Sequence, residues 1–276
     1  MSRFTVLGGR GAIGKALADA LRAGGHEVRA PGRDDDWRWG EQWGHAVYAV
    51  GLTADFRSRP LDTMEAHVGL LARVLRDARF ESLLYLSSTR VYQRAGATRE
   101  EAMLPVLPAD PSDLYNLSKL AGEALCLALP RPTVRVARLA NVVGADDAAS
   151  ENFLPSLVRA ARAGRILLRT ALDSEKDYVH IDDVVRLLPR MALEGRERLY
   201  NLAHGVPLRH RAWVEPIAAA TRCAVDVAAD AACVRFAPID VGRIRAEFGH
   251  APRNPLDALA TLLAGAEQDQ PSKGQP

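Results

Sequence analysis

Three cysteines in 276 residues are too few for a disulfide frame, and none stands in a Cys-x-x-Cys pair, so neither a stapled secreted fold nor a zinc site is expected. Cys126, Cys223 and Cys233 read as packing residues. An excess of one charge is missing too: 36 Lys plus Arg face 34 Asp plus Glu, a net charge of +2. That balance gives no electrostatic ground for a nucleic-acid or anionic-membrane partner, so any anionic ligand must be held by local groups. No apolar run approaches the ~18 residues that mark a bilayer span. Met1-Ser2-Arg3 leads directly into the strand-like Phe4-Thr5-Val6-Leu7, which leaves no room for a signal peptide and makes the cytoplasm the expected location. Glu267 to Pro276 is polar and rich in Gln and Pro, and is expected to be a disordered tail.

What the chain has in quantity is apolar side chain, 48% of residues, enough for one large α/β core with a smaller lobe. Short β-rich runs at Phe4 to Leu7, Glu27 to Ala30, Ala46 to Val50, Ser82 to Leu86 and Val134 to Leu139 alternate with helical patterns. Ile13, Ala16, Leu17, Ala20 and Leu21 keep helical spacing, as do Met64, Val68, Leu71 and Leu75, then Leu117, Leu120, Ala121, Ala124 and Leu125. Alternation of this kind predicts an α/β fold with a Rossmann-like, doubly wound parallel sheet. Pro31 to Gly44 is too short for a full helix and another strand, so one crossover should be abbreviated. Pro130-Arg131-Pro132 stops the third helix. Further elements are expected at Phe153 to Ala163, Ile166 to Leu168, Asp182 to Leu193 and Leu199 to Leu202. The expected organisation is a dinucleotide-binding domain over 1–145, rejoined by 176–205, and a substrate-binding lobe from 146–175 and 206–266.

Between the first strand and first helix stands Gly8-Gly9-Arg10-Gly11-Ala12-Ile13-Gly14. Glycines there allow a tight turn and a close approach of backbone N–H groups to a pyrophosphate, and the helix N-terminus adds partial positive charge. Gly8, Gly11, Ala12, Ile13 and Gly14 are therefore candidate cofactor contacts. An NAD site usually carries an acidic residue about 20 residues further on. This chain offers Arg29 and Arg33 there, with Arg10 in the loop itself, a set that favours NADP(H) over NAD(H) because guanidinium binds phosphate in a planar fork. Asp34-Asp35-Asp36 argues the other way, unless it is a solvated turn.

Tyr115 and Lys119 are four residues apart on a predicted helix and share a face. Upstream, Leu83-Leu84-Tyr85-Leu86 ends in Ser87-Ser88-Thr89, where a parallel sheet presents ligands with its C-terminal edge. A hydroxyl to hold the substrate oxygen, a phenol to move its proton and an ammonium to lower the phenol pKa make a working set. The stretches Leu86 to Tyr92 and Tyr115 to Glu123 resemble the two signature segments of the NAD-dependent epimerase/dehydratase family, within the extended short-chain dehydrogenase/reductase superfamily. Arg138 to Gly144, Lys176 to Val184 and Tyr200-Asn201-Leu202 continue the resemblance in family order, over roughly residues 3 to 205.

The resemblance implies Ser88, Tyr115 and Lys119 as the catalytic residues, with Tyr115 and Lys119 also touching the cofactor. It implies a small-molecule substrate, a nucleotide-linked sugar, contacted by Thr89, Asn141, Asn152 and Arg243, and pairing of two copies through the Tyr115 helix. Asn141 and Asn152 are equally readable as turn and helix caps, and Arg243 as solvated surface. Lys176 stands where many members of the family carry arginine. Dehydratases of the family carry Thr-Asp-Glu at the strand end, whereas this chain has Ser88-Thr89-Arg90, so 4-keto reduction or 4-epimerisation is expected instead. His180 lacks the cysteine partner that epimerising reductases place at the position of Arg90. A non-catalytic NADP(H) sensor and a reductase of non-sugar ketones remain open on sequence grounds.

Overall fold

In the computed structural model, residues 1–32, 35–53, 55–145 and 151–264 are described. Arg33, Asp34 and the 267–276 tail lie outside them. From the N-terminus, β1 (Arg3–Leu7), α1 (Ala12–Ala23), β2 (Glu27–Arg29) and β3 (His45–Tyr48) lead to a long helical segment. That segment consists of α2 (Pro60–Met64), a π turn (Glu65–Gly69) and α3 (Leu70–Asp77), and β4 (Ser82–Ser88), α4 (Asp113–Ala128), β5 (Val134–Leu139) and β6 (Asn141–Val143) follow. The second half carries α5 (Phe153–Arg162), β7 (Arg165–Thr170), β8 (Glu175–Lys176), β9 (Tyr178–His180), α6 (Ile181–Glu194) and β10 (Leu199–Leu202). It closes with β11 (Leu208–Arg209), α7 (Arg211–Thr221), β12 (Ala224–Ala232), α8 (Gly242–Phe248) and α9 (Ala258–Ala264).

Six strands form the central sheet in the order β2-β1-β3-β4-β5-β10, and every pairing in it is parallel. The chain reverses direction across β1: β2 lies on one side of it and β3 on the other. The stretch joining them contains no described helix or strand, as its length requires. α1 and α6 cover one face, burying Leu17, Leu21, Val184, Leu187 and Met191 against Phe4, Val6, Val47 and Leu84. Trp43, Tyr48, Leu71, Val74, Tyr85 and Val136 fill the other face. A third core, built on Leu154, Leu157, Val158, Ile166, Trp213 and Ile217, belongs to α5, β7 and α7.

Helical spacing through Met64, Val68 and Leu71 is interrupted in space by the π turn, which the sequence does not announce. Its Ala66 and His67 carbonyls accept the buried hydroxyls of Tyr48, at 2.6 Å, and Tyr85, at 3.4 Å. The wider turn thus satisfies two phenols that would otherwise be stranded in the core.

A polar network ties together the β4-β5-β10 end of the sheet. Glu123 of α4 accepts from Arg138 of β5, with Arg138 Nη2 at 2.6 Å from Oε2, and from the Ser87 hydroxyl of β4 at 2.5 Å. Arg138 also donates to the Tyr92 hydroxyl, which donates to Asn201 Oδ1 of β10. Both charged side chains of the ion pair are only 4% exposed. Glu123→Ala is expected to cost about 3–5 kcal/mol of folding stability, the scale for stranding a buried charge. A urea titration showing a loss below about 1 kcal/mol would show that the network does not tie these elements together.

Candidate active site

The C-terminal edge of the sheet is where the cleft opens, beside the point at which strand order reverses. A cavity of about 740 Å³ there is walled by the glycine loop, the end of β4, α4 and the start of α5. Gly8 has φ +82°, and a Cβ on it would come within 2.8 Å of the Ala49 carbonyl. A Cβ on Gly14 would strike the Gly8 carbonyl at 2.3 Å, so the loop closes onto the first helical turn only with glycine at that position. Gly11 is the N-cap of α1 and provides no side-chain cap, which leaves the first-turn N–H groups facing the cavity that Gly11, Ala12, Ile13 and Gly14 line.

Opposite them, Ser88 and Tyr115 meet on the cavity wall. Ser88 is the last residue of β4, and its Oγ accepts the Arg90 N–H at 3.2 Å. Burial raises the Tyr115 phenol above its ordinary pKa, while a hydrogen bond with Ser88 and the charge of Arg90 oppose the rise. Phe56 and His67 hold the phenol ring, at centroid distances of 5.4 Å and 5.5 Å. Leu52 N–H donates to His67 Nε2, so His67 Nδ1 carries the proton and donates to Ser118 Oγ, which in turn donates to the Tyr115 carbonyl. Burial, then Lys119, push the imidazole pKa down to about 2, so the ring is neutral at every physiological pH.

Lys119 donates to the Leu86 carbonyl at 3.0 Å, and its Nζ is 5.9 Å from the centre of the Tyr115 ring. Burial pushes its ammonium down to about 7, with Glu123 opposing. The sequence expectation gave the tyrosine its cationic neighbour in Lys119; the charge that bears on the phenol here is Arg90, whose Cζ is 5.6 Å from the ring centroid.

The other sequence candidates divide. Thr89, Asn141 and Asn152 line the cavity, Asn141 Nδ2 donating to the Asp177 carbonyl at 2.8 Å and Asn152 occupying the N-cap of α5. Arg10 stands apart on the exposed side of the loop, paired to Asp35 at 2.7 Å. Arg243 is not brought to the cavity: on α8, it donates to the Leu199 carbonyl at 2.7 Å and pairs with Glu101. Arg33 lies outside the described residues. Residues that sequence reasoning passed over as site members are Phe56, Arg57 and His210, all of which line the cavity, along with Arg90 and Lys176, which it had noted without a role. Phe56 and Arg57 follow the end of β3, so their place at the strand edge was the available signal.

Since the folded pKa of Lys119 is about 7 against an ordinary 10.5, the unfolded chain binds a proton in that interval that the folded protein does not. The contribution of this lysine to stability therefore rises with pH across that window and is least favourable below it. Lys119→Met should flatten the difference in urea midpoint between about pH 7 and pH 9.5; an unaltered difference would place the ammonium in solvent.

Residues 4–203 match the model of the NAD dependent epimerase/dehydratase family. No curated protein matches the chain significantly. Among solved structures, MoeE5 in complex with UDP-glucuronic acid and NAD is similar with a TM-score of 0.79 at 21% identity, over 97% of this chain and 100% of that one. RMD from Pseudomonas aeruginosa, complexed with NADPH, gives a TM-score of 0.77 at 22% identity, over 97% and 100% of the two chains. UDP-N-acetylglucosamine 4-epimerase from Methanobrevibacter ruminantium M1 gives 0.80 at 15%, over 97% and 99%. With the family model spanning most of its length and its fold repeated in these structures, the chain belongs to the NAD-dependent epimerase/dehydratase family.

Proposed function

We propose that this protein is a nicotinamide-dependent oxidoreductase of a nucleotide-linked sugar, reducing a 4-keto group or inverting a 4-hydroxyl through transient oxidation. The observation that carries the reading is the meeting of Ser88 and Tyr115 on one wall of a cavity whose other wall is the uncapped first turn of α1. The cradle suits a dinucleotide: the first-turn N–H groups of α1 would hold its diphosphate, and the absence of a side chain at Gly11 leaves room for it. When bound, the nicotinamide supplies hydride transfer to or from a sugar carbon.

The protein's own part is to hold the substrate and move its proton. Tyr115 exchanges the proton of the substrate oxygen, Ser88 hydrogen-bonds that oxygen, and Lys119, buried behind the cavity-lining Gly51, would hold the nicotinamide ribose. Burial raises the phenol pKa while Ser88 and Arg90 oppose the rise, and the phenol serves as donor in reduction and as acceptor in oxidation. Elimination of water is disfavoured, because Thr89 and Arg90 offer no carboxyl where dehydratases of the family have two. Asn141, Asn152 and Lys176 face the substrate, Lys176 toward its diphosphate, and the lobe built on α5, β7 and α7 closes over it. Among the described residues no helix is long and apolar enough to cross a membrane, and no cluster of three or more His, Cys, Asp or Glu is placed to bind a metal.

NADP(H) is favoured over NAD(H) on the strength of Arg10 and Arg29 at the adenosine end. Arg10 is 67% exposed, and its partner Asp35 would give way to a 2′-phosphate, which carries more charge.

Tyr115→Phe should bind cofactor normally and lose at least about 100-fold in kcat, the scale of a deleted acid/base. Unchanged turnover removes Tyr115 from the chemistry, and a wild-type protein that binds cofactor but turns over no sugar nucleotide or ketone is a sensor. Arg10→Ala should raise the KM for NADPH about tenfold or more with little effect on NADH, the size of one charge-assisted contact. Parallel losses for both cofactors would place Arg10 elsewhere.

A further inference from the structure

The cavity holds more positive charge than its own carboxylates balance. Arg57, Arg90 and Lys176 line it, and among the described residues none of the three has an ion-pair partner. The carboxylates nearby are already engaged: Asp110 and Asp113 by Arg94, Glu151 by Arg159, and Asp177 by the N–H groups of His204 and Gly205. Lys176 is assigned above to the diphosphate, which leaves two guanidiniums over.

Both of these stack on one ring. Arg57 Cζ is 4.5 Å and Arg90 Cζ 5.2 Å from the centroid of Phe56, which itself packs on Tyr115. Their neutral partners are both on Ser112: Arg57 donates to its hydroxyl at 2.8 Å and Arg90 to its carbonyl at 3.3 Å. Arg90 Nε is buried with no hydrogen-bond partner. Burial, then the charge of Arg57, push the Arg90 pKa down, with Tyr115, Asp113 and Asp110 opposing.

Because Arg90 is also 5.6 Å from the Tyr115 ring, a substrate whose reacting oxygen meets the phenol brings its neighbouring carbons within reach of the guanidinium. We infer that Arg90, supported by Arg57, is a carboxylate-recognition site, and that the preferred substrate is a nucleotide-linked hexuronate carrying its acid group at C6. The pyranose ring places that group beside C4, on the side away from the diphosphate, and a carboxylate supplies the two planar acceptors that match an arginine fork. This inference rests on the oxidoreductase reading and narrows its substrate.

The test compares UDP-glucuronate with UDP-glucose, which differ at C6 alone, so base and diphosphate contributions cancel. Oxidation or inversion at C4 is followed by reduced-nicotinamide absorbance and by NMR of the sugar. The wild type should favour UDP-glucuronate in kcat/KM by about tenfold or more, the scale of one charge-assisted pair. Arg90→Gln should abolish that preference, chiefly through KM for the uronate, and Arg90→Lys should restore part of it. Thermal melting of each variant separates loss of fold from loss of contact.

Turnover of UDP-glucose at least as efficient as that of UDP-glucuronate overturns the carboxylate site and leaves the oxidoreductase reading standing. Equal losses for both sugars in Arg90→Gln do the same, because they would put the arginine's role on the Tyr115 phenol or the diphosphate and not on C6. Turnover of neither compound, in UDP- or dTDP-linked form, overturns the hexuronate assignment; the oxidoreductase reading falls with it only if nucleotide-linked 4-keto sugars are left unreduced as well.

Discussion

The rest of the site depends on the ion pair between Glu123 and Arg138, buried between α4 and β5. Through Ser87 it grips the end of β4, through Tyr92 the turn beyond that strand, and through Asn201 the edge strand β10. Ser87 adjoins Ser88, and Glu123 is two helical turns beyond Tyr115 on α4, so the same contacts register the serine against the phenol. A buried pair of this kind adds little net stability over a well-packed apolar substitute, since desolvation offsets most of the attraction. What it provides is register. Every donor and acceptor in the chain of bonds has a partner only when strands and helix are at one set of positions.

Burial then sets the electrostatics of the catalytic wall. It raises the phenol of Tyr115, lowers the ammonium of Lys119 to about 7 and holds His67 neutral. The neutral imidazole bridges the Leu52 backbone and Ser118, and through Ser118 it is bonded to the backbone of the catalytic helix. The π turn puts His67 in that position while its carbonyls absorb two core phenols. His67 thus braces the wall from behind as a neutral group, while Arg57 and Arg90, without an ion-pair partner among the described residues, line the cavity.

The order of strands and helices was legible because each signal is local. Val134 to Leu139 and Leu199 to Leu202 have the strand bounds that their apolar runs suggest, and the glycine loop falls between β1 and α1, where the φ of Gly8 and the close approach at Gly14 demand glycine. Ser88, Tyr115 and Lys119 were readable because a strand end and a four-residue helical spacing each imply a direction. The π turn was not, since it answers to Tyr48 and Tyr85, residues far from it in sequence. Nor were the roles of Arg10 and Arg243, whose carboxylate partners Asp35 and Glu101 are 25 and 142 residues away along the chain.

By itself the sequence determined the doubly wound sheet, the glycine turn at the head of α1, the place of Ser88 at a strand end and the shared face of Tyr115 and Lys119, because periodicity, glycine geometry and spacing along one element fix them without reference to distant contacts. Only the tertiary structure decided which charges are neutralised and which are not. An arginine in a sequence is one cation among many, and its meaning follows from the carboxylate it meets in space. Here Arg94, Arg138 and Arg243 each find one, whereas Arg57 and Arg90, which line the cavity beside the Phe56 ring, find none among the described residues.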